Sequence, residues 1–138
     1  MKTYTFSQFD LFIGPSNIPN SGLGVFTKDF IPKDTLIDGY FGRYVEGLYG
    51  GEYYFKIDDY LGIDASEEPR CFMSFLNDAS FVPTSKRKLK NFIKHNFTNN
   101  CKFVVDIENK KVKVYSLVDI YPGNELFVSY GVDYWNTF

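Results

Sequence analysis

The sequence predicts a small, mostly β domain, and three observations lead to this prediction. Phe, Tyr and β-branched residues, which favour strands, recur in short segments. Turn-forming Gly, Pro, Asn and Asp separate these segments. Residues 101–117 alternate apolar and polar side chains around a central turn, which is typical of a β-hairpin. The 138 residues are enough for one domain with a single core.

Composition and charge exclude several classes of protein. Aromatic residues make up 20% of the chain, which argues against disorder. Fifteen basic and seventeen acidic side chains give a net charge of -2, so bulk charge does not favour non-specific nucleic-acid binding. The single histidine, His95, and the two cysteines, Cys71 and Cys101, are too few for a His-rich or structural zinc site.

The cysteines and the apolar segments also indicate the cellular compartment of the protein. Cys71 and Cys101 could form one disulfide, but we favour two reduced thiols in the core of an intracellular protein. No apolar run approaches the ~18 residues of a membrane span. The first residues lack the apolar stretch of a signal peptide. We therefore expect a nuclear or cytoplasmic protein without membrane contact.

The predicted strands of the first half are short and follow one another closely. They span residues 4–6, 9–13, 24–26, 35–38, 40–45, 53–57 and 61–63. Turns are predicted at Gly14-Pro15, at residues 19–22 and 32–34, and at the acidic pair Asp58-Asp59.

The middle of the chain breaks the β pattern. Residues 70–77 lack strict alternation, and Pro69 suits the first position of a helix, so we predict a helix of about two turns. Residues 86–90 form a dense basic run, for which a solvated loop or surface helix is the plainest interpretation. A nuclear-localisation patch or a contact for an acidic partner are the alternatives.

The second half contains the clearest hairpin. Its turn is predicted at residues 108–110, with Val112 and Val114 on one face of the second strand and Lys111 and Lys113 on the other. A last strand at residues 126–128 leads into an aromatic tail.

Two motifs suggest chemistry. Gly22-Leu23-Gly24 allows backbone groups to approach a ligand, although by itself it is more typical of a tight turn. A dinucleotide site would require a third glycine, where this chain has Thr27, and a following helix. Near the C-terminus, Tyr130, Tyr134 and Trp135 suit either an aromatic-walled slot or a tail that packs on the core.

Taken in order, these segments resemble the SET domain, the protein-lysine methyltransferase module. The resemblance covers about residues 9–135 and is closest in size to the minimal SET proteins of large DNA viruses. The matching segments are residues 21–26, 31–37, Tyr40-Phe41-Gly42, Ile63-Asp64-Ala65, Phe75-Leu76-Asn77-Asp78-Ala79, Asn100-Cys101 and, most specifically, residues 120–135.

The resemblance implies a β-clip-like fold of several short curved sheets with one short helix. It also implies a C-terminal pseudoknot, in which the last strand threads beneath a loop and Asn77 lies near Asn100. We therefore expect one SET-like domain over residues 1–138, from which residues 80–99 bulge outward as a basic insertion.

The resemblance also implies a cofactor, S-adenosyl-L-methionine, and residues that hold it. Gly22, Leu23 and Gly24 would meet its methionine end through backbone groups. Asn77 would bind it through its side chain and Asp78 through its backbone. Tyr130 would lie near the transferring methyl, and Trp135 would cover the adenine or the channel mouth.

The implied substrate is a lysine side chain of a protein, with histone tails expected and a non-histone protein as the alternative. Tyr130 would orient the amine, and Tyr134 would form a wall of the lysine channel. An apolar channel disfavours a charged lysine, so desolvation would help to supply the neutral amine for in-line methyl transfer. The peptide would add as a strand at a sheet edge.

Departures from the family pattern keep other functions open. Asp78 replaces the usual His, Ala79 the usual Ser and Asn124 the first Glu of the terminal motif. No cysteine cluster follows Trp135, so the aromatic tail or a homodimer would close the site. The alternatives are a catalytically inactive SET-like domain that binds a peptide or nucleic acid, and a β scaffold of unrelated function.

Overall fold

The structure is a computed structural model that describes residues 1–47, 51–80 and 96–131. Within these ranges, short strands and a single turn of 3₁₀ helix at Phe72–Phe75 make up the regular structure, which confirms the mostly β prediction. The strands are β1 (Thr3–Tyr4), β2 (Leu11–Pro15), β3 (Leu23–Thr27), β4 (Leu36–Tyr40), β5 (Arg43–Glu46), β6 (Tyr54–Lys56), β7 (Leu61–Asp64), β8 (Arg70–Cys71), β9 (Cys101–Asp106), β10 (Lys111–Ser116) and β11 (Glu125–Leu126).

The described strands form four small sheets. The three larger ones are antiparallel and have the orders β4-β10-β9, β11-β3-β2 and β5-β7-β6. The fourth joins β1 to β8 in parallel, which places the N-terminal residues beside the segment before the 3₁₀ helix. Several short sheets with different directions agree with the fold expected from the resemblance.

The β9–β10 hairpin confirms the clearest sequence pattern. Its strands pair from Lys111 opposite Asp106 to Ser116 opposite Cys101. Val112 and Val114 are buried, whereas Lys111 is exposed, as the alternation predicts.

The turn predicted at Gly14-Pro15 is wrong, because both residues belong to β2. Pro15 ends the strand opposite Leu23, a position where its missing N–H group is tolerated. The chain reverses at residues 16–22, which include the turn predicted at residues 19–22, and Asn20 and Gly22 there have φ angles of 64° and 65°. Gly22 adopts this left-handed conformation without the steric penalty that a side chain would bring.

The predicted two-turn helix is also wrong in its length and type. Arg70 and Cys71 pair with Thr3 and Tyr4, so β8 occupies the start of the predicted helix and Pro69 precedes a strand. Only Phe72–Phe75 is helical, and it is a 3₁₀ turn with Met73, Ser74 and Phe75 buried. The pairing with β1 competes with helix formation, which a local sequence pattern does not reveal.

The larger of two buried apolar clusters in the described residues lies between the sheets and the 3₁₀ helix, and the smaller one consists of Ile18, Ala79 and Phe127. The fully buried large side chains of the larger cluster include Ile31, Ile37, Met73, Leu76, Val112, Val114, Ile120, Leu126 and Val128. Cys71 and Cys101 belong to the larger cluster and are both free, as favoured from the sequence.

The C-terminal segment passes between two distant parts of the chain. Phe127 forms a parallel bridge with Asn77, and Val128 forms one with Cys101. The Val128 N–H donates to the Asn77 carbonyl at 3.0 Å, while the Cys101 N–H donates to the Phe127 carbonyl at 2.9 Å. This arrangement agrees with the C-terminal pseudoknot that the resemblance implies.

The ends of the proposed insertion meet. The Asn99 Nδ2 donates to the Ser80 Oγ at 2.6 Å, and the Ala79 N–H donates to the Asn99 Oδ1 at 2.8 Å. The basic run at residues 86–90 and His95 lie outside the described residues, so their interpretation stays a prediction. In the described part of the chain, no helix has the length and apolar character to cross a membrane.

Candidate active site

Asn77 lies against the glycine motif at the end of β3. Its Nδ2 donates to the Leu23 carbonyl oxygen at 2.9 Å. Its backbone carbonyl is held by the Val128 N–H, so the C-terminal segment fixes the position from which the side chain projects. Across residues 1–47, 51–80 and 96–131, its Oδ1 receives no hydrogen bond, which leaves one strong acceptor for a ligand.

Gly24 permits a close approach between β3 and a buried carboxylate. A Cβ at this position would collide with the Glu125 carboxylate and lie 3.3 Å from the Asn77 Nδ2. Glu125 is only 3% exposed, and its two oxygens accept from the Ser16 Oγ and the Asn17 N–H, each at 2.7 Å. The glycine therefore brings Asn77, Glu125 and the β3 backbone into one compact group.

Gly22 has a different environment from Gly24. A Cβ at Gly22 would meet no atom within 4 Å, so the backbone there faces open space. Its carbonyl accepts from the Ser16 N–H at 2.8 Å. Its own N–H donates to no acceptor in the described part of the chain, so it is available to a ligand.

Tyr130 is held against the segment that contains Asn77. Its hydroxyl donates to the Leu76 carbonyl oxygen, and its backbone N–H donates to the Asp78 Oδ2 at 2.9 Å. These two contacts place Tyr130 beside Asn77, although 53 positions separate the two residues in the sequence (130 minus 77). The structure thus brings together the two residues on which the proposed pocket depends.

Asp78 has a role that the sequence analysis did not predict. Its side chain is 7% exposed and accepts hydrogen bonds from Tyr130, from the Ser80 N–H at 2.7 Å and from the Asn99 Nδ2 at 3.2 Å. The carboxylate therefore fastens the loop after the 3₁₀ helix to the C-terminal segment. Whether its backbone meets the cofactor stays a prediction.

Asn100 is a second residue whose role was missed. Its Oδ1 accepts the Phe127 N–H at 2.8 Å, and its Nδ2 donates to the Glu125 carbonyl at 2.9 Å. A side chain with one donor and one acceptor arm can satisfy both backbone groups of a passing strand. The Asn100-Cys101 pair was part of the family resemblance, but nothing in its sequence indicated these partners.

Asn124 is the departure with the simplest explanation. Its backbone carbonyl accepts the Thr27 N–H at 3.1 Å, and its N–H donates to the Tyr121 carbonyl at 3.0 Å. The residue therefore supports the turn before β11 through its backbone, which any residue except proline can supply. The buried acidic function at this motif belongs to Glu125.

Arg70 supports the site from the other side. Its guanidinium lies 3.9 Å from the Tyr53 ring centroid and 4.0 Å from that of Phe75, so it is stacked between two aromatic rings. Its Nη2 donates to the Ser74 carbonyl at 3.1 Å. These contacts connect the loop before β6 with the 3₁₀ helix, which ends directly before Leu76.

The structure therefore brings together most of the predicted site residues. Gly22, Leu23, Gly24, Asn77, Asp78 and Tyr130 lie in one connected group. Tyr134 and Trp135 lie outside the described residues, so the lysine channel and the cover over the adenine stay predictions. No group of His, Cys, Asp and Glu suited to a metal occurs in residues 1–47, 51–80 or 96–131.

Comparison with known proteins identifies a family for most of this chain. The family model described as the SET domain matches residues 22–131. A curated relative from Chaetomium globosum, named Histone-lysine N-methyltransferase, H3 lysine-4 specific, is 29% identical over 122 residues. The match covers 78% of this chain but 10% of the relative, so the chain spans about a tenth of that protein's length.

Two solved structures show the same fold. Both are crystal structures of KRYPTONITE, one with mCHH DNA, an H3(1-15) peptide and SAH, the other with mCHG DNA and SAH. Each matches with a TM-score of 0.66 and 22% sequence identity, covering 91% of this chain and 24% of that one.

Proposed function

The chain belongs to the SET domain family, and from this premise we propose that it is a protein-lysine N-methyltransferase that uses S-adenosyl-L-methionine. One observation carries the proposal: the C-terminal segment brings Tyr130 beside Asn77 and the glycine motif. A tyrosine hydroxyl, an amide and open backbone groups are thereby assembled from three distant parts of the chain.

The residues beside the glycine motif fit the methionine end of the cofactor. That end carries an ammonium group, which needs acceptors, and a carboxylate, which needs donors. Among the residues that the structure describes, neither the Asn77 Oδ1 nor the Gly22 N–H has a partner, so the first is a suitable acceptor and the second a suitable donor. When bound, S-adenosyl-L-methionine supplies an activated methyl group on a sulfonium. Asp78 would bind the cofactor through its backbone, and Trp135 would cover the adenine or the channel mouth.

Tyr130 would orient the lysine amine and the adjacent reacting groups. Its hydroxyl is held by the Leu76 carbonyl and its backbone by Asp78, so the ring has little freedom to move. Such pre-organisation lets a site position reactants without reorganising during the reaction. Tyr134 would form a wall of the channel, where exclusion of water favours the neutral form of a lysine with an ordinary pKa of ~10.4.

Histone tails are the proposed substrate, bound as an added strand at a sheet edge. The name of the curated relative and the H3 peptide in one similar structure support this choice. A histone substrate would in turn place the protein in the nucleus, the host nucleus if the source is viral.

Mass spectrometry of histones incubated with the protein and methyl-labelled cofactor tests the proposal. We expect labelled lysine, and we expect calorimetry to show binding of S-adenosyl-L-methionine. Absence of cofactor binding would overturn the proposal and favour the inactive SET-like binding domain. Cofactor binding without histone labelling would overturn the histone substrate and leave the enzymatic class to be tested on other proteins.

A further inference from the structure

A groove lies beside the N-terminal segment of the chain. It has a volume of about 370 Å³ and runs between the N-terminal segment around Phe6 and the outer side of the β4–β10 pair. Ligand sites in proteins span roughly 300–1,000 Å³, so this groove is large enough to hold side chains of a partner. None of its lining residues belongs to the group around Asn77 and Tyr130.

The walls of the groove include large apolar side chains that are exposed to solvent. Phe6 is 74% exposed and Leu36 is 41% exposed. The Phe6 ring meets the Phe41 ring edge-to-face at 5.4 Å. Phe41 in turn lies over Gly39, where a Cβ would collide with the ring. The Phe41 ring thus occupies the space above Gly39, and the adjoining exposed apolar surface is typical of an interaction site.

The rim of the groove is basic. Lys111 and Lys113 line it, and neither forms an ion pair with any residue that the structure describes. The nearby Asp106 is bonded to the Asn109 Nδ2 at 2.8 Å. That bond is the main reason why the Asp106 pKa is lowered, and Lys113 and Lys111 contribute less. Since neither lysine is held in an ion pair within the described residues, both ammonium groups can attract an anion.

The acidic residue inside the groove does not cancel this charge at the surface. Asp38 is buried, and its carboxylate already accepts from the Thr5 Oγ1 at 2.5 Å, the Phe6 N–H at 3.3 Å and the Gly39 N–H at 2.7 Å. These donors satisfy both of its oxygens. The surface offered to a partner is therefore aromatic in the middle and positive at one edge, in a protein whose net charge is -2.

We propose that this groove binds an acidic segment of a partner protein, with an apolar side chain against Phe6 and Phe41 and carboxylates at Lys111 and Lys113. Charge complementarity selects such a segment over a basic one. Two lysines are few for a nucleic acid, whose affinity depends mainly on several phosphate contacts, so an acidic protein segment fits the groove better. The inference does not depend on methyltransferase activity.

The test uses a short fluorescein-labelled peptide in which a central Leu-Phe pair is flanked by glutamates. We expect fluorescence anisotropy to show binding, and we expect the Lys111→Glu/Lys113→Glu variant to weaken it by about tenfold or more. The matched control is Lys102→Glu, which reverses an exposed charge on β9 of the same sheet outside the groove. It should leave the affinity nearly unchanged.

Several outcomes would overturn the proposal. One is the absence of binding at peptide concentrations up to about 1 mM, which corresponds to about 4 kcal/mol of binding free energy. Others are equal binding of a peptide with lysines in place of the glutamates, or tighter binding of a labelled single-stranded oligonucleotide. Amide chemical shifts that change at Asn77 rather than at Gly39 and Lys113 would also contradict it. Unchanged thermal unfolding of each variant would show that the fold is retained.

Discussion

The carboxylate of Asp78 accepts the backbone N–H of Tyr130 at 2.9 Å, across 52 positions of sequence. A second bond, from the Tyr130 hydroxyl to the Leu76 carbonyl, holds the other end of the same residue. The orientation of the proposed catalytic tyrosine therefore depends on the loop after the 3₁₀ helix. Asn77, the proposed cofactor-binding residue, lies in the sequence between Leu76 and Asp78, the two residues that anchor Tyr130.

Replacing Asp78 tests this dependence. Asp78→Ala should destabilise the fold by about 1–3 kcal/mol, because the partly buried N–H groups of Tyr130 and Ser80 would lose the acceptor that the buried Asp78 carboxylate provides. Asp78→Asn keeps one acceptor oxygen and should cost less. Urea unfolding measures the stability, and methylation assays at saturating cofactor should show a larger fall in kcat for the Ala variant. Equal effects of the two substitutions would contradict a role for the acceptor.

Tyr130→Phe separates chemistry from folding. Loss of one hydrogen bond to Leu76 should cost about 1 kcal/mol of stability. The methylation rate should fall by roughly 100-fold, which is typical when a polar group that stabilises a transition state is removed. Tyr44→Phe is the matched control, since the Tyr44 hydroxyl also donates to a backbone carbonyl, that of Lys110 at 2.7 Å, but on the surface. Unchanged turnover of Tyr130→Phe would remove this residue from the mechanism.

The two glycines of the motif should respond to alanine for different reasons. Gly24→Ala drives a methyl group into the Glu125 carboxylate and should cost about 1–3 kcal/mol of stability together with cofactor affinity. Gly22→Ala meets no atoms but must hold a φ of +65°, at a cost of about 1–2 kcal/mol.

A double-mutant cycle identifies the source of the Gly24 effect. Glu125→Ala removes the carboxylate that the new methyl group would meet, so the double variant should lose less stability than the sum of the two single variants. Chemical denaturation gives the three free energies of unfolding. If the losses of stability in the two single variants simply add up in the double variant, the Glu125 carboxylate is not the source of the Gly24→Ala effect.

Because the two thiols are buried, the stability of the fold should decrease as the pH rises through the alkaline range. Burial raises the pKa of Cys101 from about 9 to about 12 and also raises that of Cys71. The folded state therefore favours the protonated thiol, and its contribution is present below the unfolded pKa near 9 and is lost as pH rises toward 12. Melting temperatures should fall across this range, and less steeply for Cys101→Ala.

The same thiols should be unreactive in the folded protein. Only the thiolate is a nucleophile, so a disulfide reagent at about pH 8 should label neither cysteine until denaturant is added. Rapid labelling of Cys101 in the native protein would contradict its burial.

The sequence predicted the elements that depend on local pattern. The β9–β10 hairpin could be predicted from the alternation of apolar and polar residues. This pattern places Val112 and Val114 on the same face of the strand, and that face is buried in the core. The residue group around Asn77 and Tyr130 followed from the family resemblance, since no local property joins positions so far apart.

Contacts between residues that are far apart in the sequence could not be predicted from local pattern. The parallel pairing of β1 with β8 shortened the helix, although residues 70–77 contain no signal for a strand. Arg70 is stacked between Tyr53 and Phe75, yet an arginine beside a proline gives no indication of which rings will meet it. The carboxylate of Asp78 took partners from two other segments, and these partners are specified only by the tertiary fold.

Phe127 and Val128 bridge Asn77 and Cys101, so the candidate active site can form only after the C-terminal segment has been synthesised. During synthesis, residues 77 and 101 leave the ribosome before the strand that joins them, and their backbone groups must stay hydrated until it arrives. Long-range pairings of this kind form late and slowly. A nascent chain that has not yet released residue 130 can hold a nearly complete β9–β10 hairpin, but the proposed cofactor site is not yet assembled.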